Sequence, residues 1–293
     1  MLRDEPLAGT APVARRWVLI EHPGPWAKAP LETPPFNGAV GQRFEDAMAR
    51  HNARFLLLRR TGRQPEDTEA RLWRVVDTQT GDSITGTWLA ERDLDDVMTA
   101  LATINGPCAE PCPPMVLVCT HGVRDACCAI KGRPVAGMLS RVLDDEVWEC
   151  SHLAGHRFAG TALVLPDGAC YGRLDQSDAA KVVTAHRSGA VMADKLRGLT
   201  RLPAPAQAAH AWGLAELARR DPEAPRSVDS IDVGTVDEDA DQSACVVHGI
   251  DGHDGSARVE VTRTELAAAP LSCGKAPQGA EAHIVTLVGA VTT

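Results

Sequence analysis

The chain has 293 residues, enough to bury a core and, by the usual domain sizes, to form about two domains. With 44% hydrophobic and 24% charged residues it is not a mainly disordered protein, and a formal charge of -9 leaves no basic footprint of the kind that neutralises phosphates, which argues against nucleic acid as a partner. The start MLRDEPLAGT has no basic residues leading into an apolar run, and no stretch approaches the roughly 18 apolar residues of a membrane span, so no secretory signal and no membrane association are expected and the expected location is the cytoplasm.

Residues 1–12 read as a frayed leader. Trp17 to Ile20 is then an apolar strand ended by His22-Pro23-Gly24-Pro25. Phe44, Ala47 and Met48 lie at helical spacing, and Phe55 to Leu58 is a short strand. Leu72 to Val76 and Ile84 to Trp88 alternate as a hairpin through Thr80-Gly81-Asp82, and Leu94, Val97, Met98 and Leu101 mark one face of a helix. Residues 106–114, crowded with proline, break the pattern and set an expected domain boundary. Beyond it come a strand over 115–119, a loop over 120–132, a helix entered at Arg133-Pro134, a strand over Val147 to Cys150, a strand over 161–165, a turn at Pro166-Asp167-Gly168 and a returning strand over 169–171. A helix near Asp178 to His186 and an Ala-rich helix over 203–220 lead to short strands in an acidic tail. The expected architecture is α/β: a domain over 1–106, a second of similar element order over 115–225, and a β-rich region over 226–293.

The chemistry concentrates in the second domain. Seven of the nine cysteines fall between Cys108 and Cys170, and a reducing compartment would keep them as thiols or ligands. Cys119 ends an apolar strand, Cys127 and Cys128 close the loop after it, and His152 and His156 are separated by three residues, a spacing that lets both imidazoles face one metal. Two thiolates with two imidazoles suit tetrahedral zinc or a [2Fe-2S] cluster with histidines on one iron. The eight residues between Cys119 and Cys128 exceed the usual zinc-knuckle gap and lean toward the larger core. Cys150, Cys170, Cys245 and Cys273 read as small buried hydrophobes, and His186, His210, His248 and His253 as solvated. Arg124 and Arg157 could offset cluster charge or meet an anionic partner.

The segments Cys119-Thr-His-Gly-Val-Arg-Asp-Ala-Cys-Cys, Ser151-His-Leu-Ala-Gly-His-Arg-Phe-Ala-Gly and Tyr171-Gly172-Arg173 resemble the sucrase/ferredoxin-like family, strongly over about residues 115–175. The resemblance implies a thioredoxin-like ferredoxin domain with a [2Fe-2S] cluster on two cysteines and two histidines. Carried over residue by residue, the ligands would be Cys119, Cys128, His152 and His156. Fungal members tend to have a single cysteine after the Arg-Asp pair, so Cys127 is a rival to Cys128. No carboxylate pair stands out as acid and base, so sugar cleavage is not expected.

The expected function is electron transfer, with a redox partner protein or a small electron acceptor performing the substrate chemistry. Imidazole ligands bring less negative charge than thiolates and should raise the potential over that of an all-cysteine cluster, with protons coupling to the electron. A zinc-stabilised binding module on the same four residues and a thiol oxidoreductase using Cys127 and Cys128 are the alternatives.

Overall fold

Trp17, Val18, Leu19 and Ile20 are all buried, the pattern of a central strand covered on both faces. They form β1 (Arg16–Glu21), which leads to α1 (Ala39–Arg50), β2 (Ala53–Arg59), β3 (Arg71–Asp77), β4 (Asp82–Trp88), α2 (Leu94–Thr103) and the short β5 (Glu110–Pro111). Then come β6 (Met115–Cys119), α3 (Ala126–Leu143), β7 (Val147–Cys150) and β8 (Ala162–Leu165). The computed structural model describes residues 5–62, 70–224, 226–238, 241–251 and 255–291. The chain divides into two compact units, one from Ala14 to Gly168 and the other made of the residues before Ala14 with those from Ala169 onward.

In the unit 14–168, eight strands of a mixed sheet run in the order β8-β6-β7-β2-β1-β3-β4-β5. Two modules of one connectivity account for that order. In the first, β1 and β2 are parallel and β3 is antiparallel to β1. In the second, β6 and β7 are parallel and β8 is antiparallel to β6. This is the thioredoxin-like arrangement, and the similar element order of the two halves expected from the sequence has a structural counterpart here. The modules meet where β2 and β7 pair antiparallel, Leu58 opposite Cys150 and Arg59 opposite Glu149.

The first module is filled by Val40, Phe44, Ala47 and Met48 on one face of α1 and by Leu94, Val97 and Leu101 on one face of α2. Phe36 is edge-on to Phe44, Phe55 and Trp88 at 5.9, 5.3 and 5.7 Å. The Pro-rich stretch 106–114 lies inside this unit: β5 pairs with β4, and the Cys112 N–H donates to the Gly81 carbonyl at 2.9 Å.

In the second module the helix starts earlier than the proline cue suggests. It begins at Ala126, so Pro134 lies inside it and Cys127 and Cys128 are in its first turn rather than in a loop. The reason is local: the Asp125 carboxylate accepts the Cys127 N–H at 3.0 Å, satisfying one of the donors left open at a helix start.

The other unit contains β9 (Ala169–Tyr171), α4 (Gln176–Arg187), β10 (Leu196–Leu199) and α5 (Ala204–Arg220). After them comes a separate antiparallel sheet, ordered β11 (Asp232–Glu238), β12 (Gln242–His248), β13 (Ser256–Ala269) and β14 (Gln278–Val291). Residues 5–12, expected as a frayed leader, are held: Leu7 and Ala11 are buried and the Thr10 N–H donates to the Arg197 carbonyl at 3.2 Å. His210, expected in solvent, is buried in α5, where its Nε2 meets the Val228 carbonyl at 3.0 Å. Cys273 is exposed rather than buried, and His253 lies outside the described residues. Among the described residues no helix is long and apolar enough to cross a membrane.

Candidate metal centre

Cys119 is the last residue of β6 and is 2% exposed, with its N–H donated to the Thr161 carbonyl at 3.0 Å. The chain then turns through His121 to Asp125, whose N–H donates to the His121 carbonyl at 3.1 Å. Successive residues of a helix project about 100° apart, so only one of two adjacent cysteines at the start of α3 can face the strand. That one is Cys128, 1% exposed; Cys127 points to a partly exposed position. Close packing of α3 on β6 depends on Gly132, where an added Cβ would stand 2.0 Å from the Cys119 carbonyl oxygen.

The histidines are delivered by the loop after β7. Ser151 anchors its start: its N–H donates to the Leu57 carbonyl at 2.8 Å and its Oγ accepts the Leu57 N–H at 3.0 Å. Leu153 is fully buried, and Ala154 and Gly155 both take left-handed backbone angles, φ 61° and 69°. For alanine that conformation costs about 1–2 kcal/mol, the kind of local strain that structures retain around functional groups. The turn brings His156 back beside His152, with ring centroids 5.3 Å apart.

Cys119, Cys128 and His152 each offer one ligand atom, and these atoms all lie within 4.8 Å of one another. His152 bridges the group: its Nδ1 is 3.9 Å from Cys128 Sγ and its Nε2 is 3.5 Å from His156 Nδ1. Of the four residues expected as ligands, three thus converge directly and His156 stands next to the third. His156 Nε2 in turn lies 3.9 Å from the carboxylate of buried Asp125, a pairing that joins the cysteine loop to the histidine loop. The sulfurs are buried and the imidazoles half-buried, so the group opens toward solvent on its histidine side.

The electrostatics suit a metal. A hydrogen bond from the Cys128 thiol holds Cys119 well below the ordinary thiol range, against the effect of burial and with help from His152. The same bond and burial push Cys128 up. Burial pushes His156 down, toward the neutral form that ligates, with Asp125 opposing. Soft sulfur and borderline imidazole donors are the set that zinc and iron–sulfur centres share.

A second layer joins the two modules. Thr120 Oγ1 donates to Glu149 Oε2 at 2.8 Å, and Arg59 on β2 pairs with the same oxygen at 2.6 Å. Arg59 also lies over the Trp26 ring at 4.4 Å, and Trp26 is edge-on to buried His121. No local pattern in the sequence announces these contacts, since they join residues far apart in the chain.

The sucrase/ferredoxin-like family profile matches residues 7–198, about two thirds of the chain and all four candidate ligands. The chain belongs to the sucrase/ferredoxin-like family. It is also similar to altered inheritance of mitochondria protein 32 of Meyerozyma guilliermondii, 30% identical over 95 residues, which are 29% of this chain and 34% of that relative. The chain therefore spans about a third of the length of the curated relative it matches. No solved structure matches it.

Proposed function

We propose that this chain is an electron-transfer protein whose Cys119, Cys128, His152 and His156 hold a [2Fe-2S] cluster. The observation that carries the reading is the convergence of Cys119, Cys128 and His152 within 4.8 Å, with His156 beside them, inside the family-matched region. A cluster bound there would supply a one-electron couple. Cys119 and Cys128 would offer their sulfurs from the buried floor, and His152 and His156 their imidazoles from the open rim. Asp125 would orient His156 and hold a proton on its Nε2. Arg59, Glu149 and Thr120 fix the strand end that carries Cys119.

The partner on this reading is a redox protein or a small electron acceptor. The proposed setting is the cytoplasm, whose reducing poise keeps ligand cysteines as thiols; cell fractionation tests it. Proton coupling at the histidines would make the midpoint potential fall as pH rises, and a pH-independent potential would remove that feature.

One observation favours a second reading. The sulfur-to-nitrogen separation of 3.9 Å is also close to that around a single tetrahedral ion, for which bonds of about 2.0–2.3 Å place ligand atoms roughly 3.3–3.8 Å apart. Metal and sulfide analysis of the purified chain separates the two. Visible colour, iron with equal acid-labile sulfide and a paramagnetic signal on reduction are expected. A colourless protein with zinc and no sulfide overturns the electron-transfer reading.

A further inference from the structure

The cysteine loop and the start of α3 carry an exposed surface that metal ligation does not explain. Val123 and Ile130 are each 67% exposed, among the most exposed large apolar residues described. The charged residues between Cys119 and Pro134 are Arg124, Asp125, Lys131 and Arg133. The one acid is buried, where it caps α3 and faces His156. All the outward charge of this segment is therefore positive, in a chain whose formal net charge is -9. Arg157, next to His156 and lying over the Phe158 ring, adds a further cation on the histidine side. The helix that carries Ile130, Lys131 and Arg133 contacts the turn that carries His156 and Arg157, where the imidazoles are half-exposed.

We propose that the face formed by Val123, Arg124, Ile130, Lys131, Arg133 and Arg157 docks an acidic electron-carrier protein, one whose own cofactor edge is ringed by carboxylates. This deepens the electron-transfer reading and rests on it. Charge complementarity selects the partner: a local positive field on a negatively charged molecule steers an acidic protein to this one face, and the molecule's net charge repels it elsewhere. Val123 and Ile130 supply an apolar centre that sheds water on contact, and the cations supply the polar rim. A patch this small suits the weak, short-lived encounters of electron carriers, whose interfaces are at the low end of buried area.

The test uses the full chain and two protein probes, an acidic flavodoxin and a basic cytochrome c. Calorimetry at low salt should detect flavodoxin binding that weakens steeply as salt is added. Lys131→Glu/Arg133→Glu should weaken that binding at least tenfold and strengthen binding of cytochrome c, whereas Ile130→Ser should weaken flavodoxin binding severalfold without changing its salt dependence. Circular dichroism checks that each variant is folded. Absent flavodoxin binding, or binding indifferent to charge reversal, overturns the proposal. The binding measurement needs no cluster, so it fails separately from the electron-transfer reading, which is tested by iron and sulfide content and by reduction with a neutral quinol. In stopped-flow mixing, electron exchange with flavodoxin should slow with the charge-reversed variant while the quinol rate stays the same; equal slowing of both would also overturn the docking role.

Discussion

The two modules of the unit 14–168 share a connectivity and differ in the segment just after their first strand. After β1, the ring nitrogens of His22 meet backbone groups, the Pro34 carbonyl at 3.0 Å and the Gly24 N–H at 3.1 Å, and the ring stacks on Trp88. Phe36 and Trp26 fill the neighbouring space and are buried. After β6, the space holds two thiols and two imidazoles whose described contacts include one another. One frame thus accommodates an aromatic plug, whose polar atoms are satisfied by backbone, or a ligand set whose polar atoms turn to each other. The difference lies in the loops, because the parallel strand pair and crossing helix need only apolar faces while the loop at the strand end is free to carry chemistry.

The most severe way to break this contrast is to remove ligands. Cys119→Ala, Cys128→Ala and His152→Ala should each lose essentially all bound metal, measured by elemental analysis, because ligand loss removes most of a binding energy that reaches about 10 kcal/mol in structural sites. Hydrogen exchange should then show opening in β6, α3 and β7 while the first module stays protected. Equal loss of protection in both would mean that the first module depends on the metal too.

Next in size is Gly132→Ala, which drives a Cβ into the Cys119 carbonyl oxygen. It should destabilise the protein by about 3 kcal/mol in urea unfolding, since the clash is with backbone and cannot be relieved by a rotamer change.

On the first module, Asp77→Asn should cost about 1–2 kcal/mol, discounted because Arg15 is partly exposed. Asp77 is buried, which raises its pKa, but its bonds to Arg15, Gln79 and Arg16 outweigh burial and the net shift is downward. A depressed carboxylate contributes stability above its unfolded pKa near 3.8 and loses it as pH falls through the lower folded value. Unfolding midpoints at pH 7 and pH 3 should therefore differ less in the variant than in the parent. The smallest effect on the metal is expected for Cys127→Ser, which should leave metal content unchanged; loss of metal there would move the second thiolate assignment from Cys128 to Cys127.

Much of this was legible in the residues. Buried runs such as Trp17 to Ile20 and Met115 to Cys119 announce strands by their length, and the i, i+3, i+4 pattern of Phe44, Ala47 and Met48 announces α1. The proline cue puts the start of α3 too late, since Pro134 is a familiar first-turn residue, whereas the cap that begins the helix is Asp125. His210 misled because a histidine in an Ala-rich helix carries no mark of its burial; burial and the Val228 carbonyl emerge from packing, and desolvation lowers its pKa to about 4.

The amino-acid sequence by itself determined the element order, the family and the four candidate ligands, since these depend on local pattern and on residue types at short spacing. The tertiary structure decided which neighbour of the Cys127–Cys128 pair turns toward Cys119, that Asp125 faces His156, and that Arg59 braces the strand end from the other module. Helix phase is fixed by where the helix begins, and strand pairing joins residues about ninety positions apart, as Arg59 and Glu149 are. Neither is encoded in any short stretch of chain, because both are set by packing that forms only when the whole sheet is assembled.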